Sequence, residues 1–365
     1  MLMNIVLVIY SLHGGGAERQ LSEIAAYFAQ NGHAVSFVTM QNSSVDFYTL
    51  DSSIRLIKLP LPAHKDTIFG QLVLTFRKVR HLRSIFREKT PDVILSFMTA
   101  TNVMTLLAAR GLSTKTIVAE RTNPFAANTP YQWKLGRRLL YRHAGQVLAQ
   151  THRAAAWLDT HCRCKTAVIP NHLRPLPPLT GASRENTILS VGRLSSEKGF
   201  DNLIRAFSMV HEAYPGWQLT ILGEGPQRTQ LEKLRDELGL NRQIDLPGQV
   251  KDVESRLMRA GLVVQASRSE GFPNALLEAM GMGAPVISTD CHSGPAEIIS
   301  DGMNGRLVPV DDVQALAECM QELLADESMR TRLGLQAVRV RERFSQEKIM
   351  DMYRGLFKET PGQSG

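Results

Sequence analysis

Short, nearly continuous apolar segments alternate with amphipathic segments along this chain, and the series runs twice. The first apolar segment, "NIVLVIY" (4–10), ends in glycines, which is typical of a parallel strand buried on both faces. The following "AERQLSEIAAYFAQNG" has apolar residues at helical spacing and a glycine stop. Between the two series, 173–186 is rich in Pro, Gly and Ser. The pattern predicts an α/β fold of two domains, each a parallel sheet flanked by helices.

The predicted boundaries follow from this rhythm. We expect an N-terminal domain over 1–172, a linker over 173–186 and a C-terminal domain over 187–345. The remaining 346–365 is predicted to form a helix that packs back on the N-terminal domain, followed by a frayed tail. Among the other segments, 76–89, 200–213 and 228–238 are predicted to be helical.

Composition narrows the class of protein. With 43% hydrophobic and 21% charged residues, the chain is ordinary globular material. Its four cysteines are too few and too poorly spaced for a disulfide framework or a four-thiolate zinc site, which favours a reducing cytoplasm. The N-terminus lacks the basic segment and cleavage site of a signal peptide. No stretch approaches the roughly 20 apolar residues of a spanning helix, so any contact with a membrane is expected to be peripheral.

The net charge of +7 is unevenly distributed. Through His172 there are 20 Lys and Arg against 9 Asp and Glu, and after it 22 against 26. This asymmetry indicates an anionic partner for the first half of the chain.

Ligands of open parallel sheets bind at the carboxyl ends of the strands, so the loops after the strands carry most information. "SLHGGGAERQ" (11–20) joins the first strand to the first helix, and its glycines allow close approach to an anion. A dinucleotide fingerprint is excluded, because Arg19 stands at its third glycine and no acidic residue ends the second strand. The alternative interpretation is that these glycines form only a tight turn between strand and helix.

In the second half, "SVGRLSSEKG" (190–199) places Arg193 and Lys198 after a strand, where two cations can hold a diphosphate. Taken singly, each is typical of solvated surface. "ILGEGPQ" (221–227) supplies Gly223 at a second strand end, and there too a plain turn is an alternative. "HSGPAEIISDGMNG" (292–305) adds a further turn and a helix that begins at Pro295.

The most specific segment is "SEGFPNALLEAMGMGAPVIS" (269–288), a polar turn followed by a helix with Pro273 at its first position. The amide groups around Asn274 and the positive end of the helix dipole form an anion site. Glu270 lies beside that site, and Glu278 lies further into the helix, where its two oxygens suit a vicinal diol. An anion site with two hydroxyl-binding acids outlines a sugar nucleotide; the alternative is a surface glutamate and a helix-stabilising charge.

These segments together resemble glycosyltransferase family 4, the retaining enzymes of the GT-B fold with two facing Rossmann-like domains. The resemblance covers nearly the whole chain and rests on "GGAER", "VGRLSSEKG", "GEGP", "SEGFPNALLEAMGMGAPVI" and "SGPAEII…DGMNG". It implies a hexosyltransferase that moves a hexose or N-acetylhexosamine from a nucleotide diphosphate sugar to a saccharide. The acceptor implied is a lipid-linked saccharide, as in bacterial enzymes of polysaccharide, lipopolysaccharide or glycan synthesis.

The family pattern also implies roles for residues. Arg193 and Lys198 would hold the donor diphosphate and stabilise the leaving charge, with Glu270 at the donor sugar or reacting centre. The acceptor side would include His13, Arg19, Glu120 and Arg121, with Arg121 standing where many relatives have a histidine. Glu18 would support the glycine turn with Arg19. The donor-binding residues implied are Gly15, Gly16, Gly223, Phe272, Asn274, Ala275, Leu276 and Glu278.

Neither a metal nor another cofactor is expected, since the chain has no Asp-x-Asp pair and the leaving phosphate can take the acceptor proton in a front-face reaction. A UDP-sugar is the favoured donor over GDP-mannose. An epimerase of UDP-sugars and a non-catalytic sugar-nucleotide-binding protein are the alternative classes. The first would need acid and base side chains around the sugar, and the second would not need both cations.

A partner surface is predicted on the basic segments 76–89 and 134–143, in which Arg and Lys recur beside apolar residues. Such helices lie on anionic membrane surfaces, and the alternative is a core-facing stripe under a solvated basic face. No nucleic-acid motif occurs, and the basic residues lack interleaved aromatics. We therefore expect a cytoplasmic protein, peripheral on the inner face of the membrane through Phe76–Lys89, that binds no nucleic acid.

Overall fold

A computed structural model describes residues 2–13, 15–42, 46–62, 67–125, 129–179, 181 and 183–358. The expected frayed tail, 359–365, and positions 180 and 182 of the expected linker lie outside the described residues. The chain divides into two compact units. Unit 1 is Met1–Asn171 with Ile349–Gly365, and unit 2 is His172–Lys348.

Unit 1 contains a parallel sheet of seven strands in the order β3-β2-β1-β4-β5-β6-β7. The central strand β1 is flanked by β2 and β4, with Leu7 level with Phe37 on one side and Leu95 on the other. Because helices cover both faces, these central strands are almost entirely buried and mostly apolar. The strands are β1 (Asn4–Ile9), β2 (Ala34–Thr39), β3 (Arg55–Lys58), β4 (Val93–Phe97), β5 (Lys115–Ala119), β6 (Gln146–Ala149) and β7 (Thr166–Val168).

Two layers of helices cover the unit 1 sheet. One layer buries apolar side chains of α1 and of the last helix, where Phe28 and Phe357 stack with ring centroids 4.8 Å apart. The other layer lies over the Val6, Val8 and Ile94 face. The helices of unit 1 are α1 (Gly16–Gln30), α2 (Ile68–Lys89), α3 (Thr99–Ala109), α4 (Tyr131–Leu140) and α5 (His152–Cys162).

Unit 2 contains a parallel sheet of six strands in the order β10-β9-β8-β11-β12-β13. Pro247 lies in β10, at the sheet edge, where a missing N–H group is tolerated. The strands are β8 (Glu185–Val191), β9 (Gln218–Leu222), β10 (Ile244–Gly248), β11 (Ala260–Gln265), β12 (Val286–Thr289) and β13 (Arg306–Val308).

The helices of unit 2 again cover both faces of its sheet. Leu203, Phe207 and Met320 pack in one core cluster, and Leu276, Met280 and Phe344 pack in another. The helices are α6 (Phe200–Val210), α7 (Arg228–Glu237), α8 (Val253–Arg259), α9 (Asn274–Gly281), α10 (Pro295–Ile298), α11 (Val313–Ala325), α12 (Glu327–Ala337), α13 (Val340–Arg343) and α14 (Gln346–Lys358), whose residues from Ile349 onwards belong to unit 1.

Two parallel sheets with helices on both faces confirm the predicted fold class. Several predicted bounds differ. Helix α2 begins at Ile68 rather than at Phe76, because the Thr67 side chain accepts a hydrogen bond from the Gly70 amide and caps it there. Helix α6 ends three residues early, at Val210. The last two residues of the expected linker already belong to β8, which starts at Glu185.

The C-terminal helix α14 packs in the core of unit 1. Ile349, Met350, Tyr353, Leu356 and Phe357 are buried there beside β1 and α1. Lys115 donates a 2.6 Å hydrogen bond to the Leu356 carbonyl, which fixes the end of the helix.

In each sheet, successive strands are added first toward one edge and then toward the other, so the strand order reverses once. In unit 1 this occurs between β1 and β4, and in unit 2 between β8 and β11. At such a position the loops from the two adjacent strands diverge and leave a crevice at the carboxyl edge.

Candidate active site

In unit 2, the crevice between β8 and β11 holds Lys198 and Glu270. Lys198 Nζ lies 2.7 Å from Glu270 Oε1, and the same oxygen accepts from Ser267 Oγ at 2.7 Å and from Gln265 Nε2 at 3.0 Å. The Glu270 side chain is buried, with 9% exposed, whereas that of Lys198 is 26% exposed. Three donors therefore fix the carboxylate, and one of them is a cation in reach of solvent.

Backbone contacts between the loops bring Lys198 to this position. A short 3₁₀ turn, Ser196–Lys198, ends at Gly199, whose φ is +62°. A Cβ at Gly199 would lie 2.1 Å from the Ala266 carbonyl oxygen. Only glycine permits both that dihedral angle and that contact. The turn after β8 consequently rests on the end of β11, next to Glu270.

The loop after β9 closes on the same crevice. Gly223 has φ +142°, and a Cβ there would lie 1.9 Å from the Gly192 carbonyl oxygen. The Leu194 amide donates to the Glu224 carbonyl at 2.9 Å, which joins the two loops. Gly223, predicted as a donor-binding residue, is thus required where the backbones approach most closely.

The loop after β12 braces the other side of the crevice. Thr289 Oγ1 donates to the Ser267 carbonyl at 2.5 Å, and Ser293 Oγ donates to the Gly271 carbonyl at 3.1 Å. Burial, followed by the charge of Glu270, raises the pKa of the Cys291 thiol to about 12. This thiol is therefore neutral at physiological pH.

Helix α9 begins at Asn274, with Pro273 as its N-cap. The prediction that Pro273 occupies the first helical position is wrong by one residue, because its ψ of 88° is not helical. The first amide to bond into the helix is that of Leu277, to the Pro273 carbonyl at 3.1 Å. The amides of Asn274, Ala275 and Leu276 precede it, at the positive end of the helix dipole.

Glu278 is held by Arg174, a residue the sequence analysis had left within the linker. Arg174 Nη2 lies 2.9 Å from Glu278 Oε2, and its Nη1 lies 2.5 Å from Glu254 Oε1. Glu278 is buried. The only signal for Arg174 in the sequence was that it is the one Lys or Arg within 172–178.

Arg193 is placed differently from Lys198. Its guanidinium is 70% exposed and pairs with Glu197 at 2.7 Å. Burial alone would raise the pKa of Glu197, but hydrogen bonds from Arg193 and Ser195 lower it. Arg193 and Lys198 therefore lie in one loop but form ion pairs with different acids, Glu197 and Glu270 respectively. Phe272, which lies two residues before helix α9, is buried against the Phe344 ring.

In unit 1 the corresponding crevice lies beside the glycine loop. Gly15 caps α1, and the absence of a side chain there leaves room for the Glu18 carboxylate, since a Cβ would lie 2.2 Å from Glu18 Oε2. Burial raises the pKa of Glu18. Gly16 begins the helix, the Arg19 amide bonds to the Gly15 carbonyl, and His13 is exposed in the loop.

Glu120 and Arg121 follow β5 and are both buried. Glu120 accepts from Thr99 and Thr122 at 2.8 Å and from Tyr141 at 3.0 Å. Arg121 lies over the Phe97 ring at 4.1 Å and donates to Asn171 and to Tyr353 of α14. The geometry gives Arg121 a structural role in holding α14, and its contact with an acceptor stays a prediction.

Residues 15–172 match the model of the glycosyl transferase 4-like domain, and residues 178–339 match that of glycosyl transferases group 1. The exopolysaccharide phosphotransferase of Streptomyces coelicolor is 36% identical over 58% of this chain, a match that spans 23% of that protein.

Two further proteins are similar over nearly the whole chain. An N-acetyl-D-galactosaminyltransferase of Campylobacter jejuni, which acts on a diphosphate-undecaprenol-linked saccharide, is 28% identical over 91% of this chain and 92% of its own. The crystal structure of Anabaena HepE in complex with UDP and glucose superposes with a TM-score of 0.78 at 18% identity, over 97% of this chain and 99% of that one. Together with the two family models, these likenesses show that the chain belongs to the family 4-like glycosyltransferases and is an enzyme of that family with a GT-B fold.

Proposed function

We propose that this enzyme transfers a hexose or N-acetylhexosamine, with retention of configuration, from a UDP-sugar to a lipid-linked saccharide. The observation that carries the proposal is the contact of Lys198 Nζ with Glu270 Oε1 at 2.7 Å, in the crevice where unit 2 presents the start of α9. This arrangement puts a cation, helix amides and a fixed carboxylate within one strand-edge site.

Each group suits one part of the donor. Lys198 and the exposed Arg193 supply positive charge for the diphosphate, which becomes more negative as the sugar leaves. The first amides of α9 donate to phosphate or sugar oxygens. Glu270, held through Oε1, offers Oε2 to a sugar hydroxyl, and Glu278 accepts from the ribose hydroxyls.

In the proposed reaction, the bond from the sugar C1 to the diphosphate oxygen breaks while the acceptor oxygen bonds to C1 on the same face. The acceptor proton passes to the leaving diphosphate. The enzyme then contributes positioning and charge stabilisation and needs no side-chain base. A metal is not required in this scheme, because Lys198 and the helix amides supply the positive field.

The substrate classes are proposed from the relatives. The Campylobacter enzyme is named for a diphosphate-undecaprenol-linked acceptor, and the Anabaena structure holds UDP and glucose. A relative from Erwinia amylovora is named for amylovoran biosynthesis. These names support a role in the synthesis of surface polysaccharide or lipid-linked glycan. GDP-mannose as donor, and epimerisation of a UDP-sugar, remain the alternatives.

We further propose a peripheral location on the inner face of the cytoplasmic membrane. Among the helices described, none has both the length and the apolar content to cross a bilayer. On the predicted surface, α2 has Arg77, Arg80 and Arg87 exposed, which supports an anionic contact. Two of its cations serve the fold instead: Lys78 is buried over the Tyr10 ring, and Arg83 donates to the carbonyls of Ala108 and Arg110.

A donor panel tests the function. The purified enzyme is incubated with UDP- and GDP-sugars, with and without a bacterial lipid extract, and free nucleotide diphosphate, product mass and anomeric configuration are measured. We expect release from one UDP-sugar that depends on the extract, with an α-linked product from an α-linked donor. Isomerisation of the donor without acceptor would establish the epimerase instead, and release from GDP-mannose alone would overturn the proposed donor.

A further inference from the structure

A basic groove lies between α4 and α5 of unit 1, outside the glycine loop and both strand-edge crevices. Its volume is about 630 Å³. Within the part of the chain that the structure describes, no aspartate or glutamate lines it. The cationic and titratable side chains of this α4–α5 groove are Lys134, Arg137, Arg138, Arg142, His161, Cys162 and Arg163.

An aromatic pair, Trp157 and His161, stacks in the groove above the buried Arg137. The His161 ring lies 4.2 Å from Trp157 at 14°, and the Arg137 guanidinium lies 4.7 Å from the same ring. Arg137 is 3% exposed and its charge is matched by Glu120, 3.5 Å away. The Arg137 charge is therefore already paired with an acid of the fold, although its buried Nη1 atom makes no hydrogen bond.

The basic side chains at the rim of the groove, unlike Arg137, are accessible to solvent. Arg138, Arg142 and Arg163 are exposed, and Lys134 is half-buried. Several like charges around one concave surface create a positive potential that attracts an anion. Arginine in particular binds phosphate through paired N–H groups.

Next to the groove, α4 carries an exposed apolar stripe. Tyr131, Leu135 and Leu139 recur every four residues and are 77%, 42% and 47% exposed. Lys134 and Arg138 recur at the same interval, followed by Arg142 just beyond the helix. Two adjacent stripes, one apolar and one basic, are the pattern of a helix that lies in a membrane interface. A small phosphate metabolite would use the groove but would leave the leucines exposed.

We propose that the α4–α5 groove binds the phosphate headgroup of an anionic phospholipid while Tyr131, Leu135 and Leu139 insert into the bilayer surface. This rests on the peripheral location proposed above and assigns it to a site. It shifts the main contact from α2 to α4 because the α4 cations line a concave groove. Helix α2 also exposes apolar side chains, Phe69, Leu72 and Phe76, so it is the competing surface that the α2 variant below tests.

Vesicle flotation with the full chain tests the assignment. Wild type is compared on phosphatidylcholine vesicles and on the same vesicles containing phosphatidylglycerol. The groove variant is Lys134→Gln/Arg138→Gln/Arg142→Gln, and the matched control is Arg242→Gln/Lys251→Gln/Arg332→Gln, three exposed cations of unit 2. We expect the groove variant to partition on the order of a hundredfold more weakly, because each near-surface cation contributes several-fold. The control should partition like wild type.

Two further variants separate the sources of binding. Leu135→Ser/Leu139→Ser should weaken partition without removing its dependence on salt, whereas the groove variant should lose most of that dependence. Arg77→Gln/Arg80→Gln/Arg87→Gln on α2 should have a smaller effect than the groove variant. Inorganic phosphate at matched ionic strength should not displace the enzyme from vesicles.

The proposal is overturned if wild type binds both vesicle types equally, if the groove variant partitions like its control, or if only the α2 variant loses binding. An unchanged circular dichroism spectrum and thermal unfolding midpoint of the groove variant show that it is folded. Vesicle binding by a wild type that transfers no sugar would contradict the proposed function and leave the groove standing.

Discussion

Arg174 Nη2 lies 2.9 Å from Glu278 Oε2, although 104 residues separate them in the chain. Arg174 lies three residues after the end of the first part of unit 1, and it also binds Glu254. One cation thus positions the carboxylate that we assign to the ribose of the donor.

Substituting Glu278→Gln should weaken UDP binding by about tenfold to a hundredfold, since a hydrogen bond to a charged group contributes about 1.5–3 kcal/mol. Isothermal titration calorimetry with UDP measures this directly. Glu254→Gln is the matched control, because it removes the other acid on Arg174 and leaves Glu278 in place. Equal affinities for wild type and Glu278→Gln would remove the ribose role.

Replacing Lys198 should affect turnover more than binding. Lys198→Ala is expected to lower kcat by roughly 10²–10³, the scale of losing one group that stabilises transition-state charge. Lys198→Arg should recover part of the loss by keeping the charge. Lys251→Ala, an exposed lysine of the same unit, serves as control. Initial rates of diphosphate release decide the matter, and a kcat near that of wild type for Lys198→Ala would contradict the assignment.

Gly223→Ala tests whether the loops must touch. A methyl group there would meet the Gly192 carbonyl oxygen at 1.9 Å and adopt φ +142°. We expect a loss of at least about 2 kcal/mol in the free energy of unfolding, together with weaker UDP binding. Gly216→Ala is the control, because its nearest neighbour would be 3.8 Å away. Urea denaturation compares the two, and equal stabilities would show that the loops relax freely.

Local patterns predicted much of this structure. The central strands were found because their residues are buried on both faces, and the strand-end glycines because close backbone approach excludes a side chain. The position of Glu270 just before helix α9 was predictable because a polar turn before a helix is a local feature, whereas its role toward the donor stays a prediction. Strand β3 was missed, since "RLIK" is short and only partly buried at the sheet edge.

Contacts between distant segments were beyond local pattern. Arg174 was missed because its partner lies 104 residues away. Arg121 was placed on the acceptor side, yet the residue that it meets, Tyr353, comes 232 residues later on α14. A charged residue after a strand is ambiguous until the element that covers it is known.

The Arg121 contact leads to a stability prediction. Tyr353→Phe keeps the ring and removes the hydroxyl to which the buried guanidinium donates, so it should lower the free energy of unfolding by about 1–3 kcal/mol. Hydrogen exchange of the α14 amides should become faster in the variant. Tyr131→Phe, at a largely exposed tyrosine, should change neither quantity. Unchanged α14 exchange in Tyr353→Phe would show that apolar packing alone holds the helix.

Cys164 should be the most reactive thiol of this enzyme at neutral pH. Hydrogen bonding from Cys162 lowers the pKa of Cys164 against the opposing effect of burial, with a smaller contribution from Thr166, whose oxygen lies 3.6 Å from Cys164 Sγ. Burial instead raises the pKa of Cys291 to about 12 and that of Cys319 to about 11. The thiolate is the reacting form, so alkylation of Cys164 by iodoacetamide should become fast at a lower pH than alkylation of the buried thiols. Cys162→Ala removes the donor and should move the midpoint back towards the ordinary thiol value of about 8.5. Peptide mass spectrometry follows each site, and alkylation of Cys164 no faster than that of Cys319 at neutral pH would contradict the thiol pair.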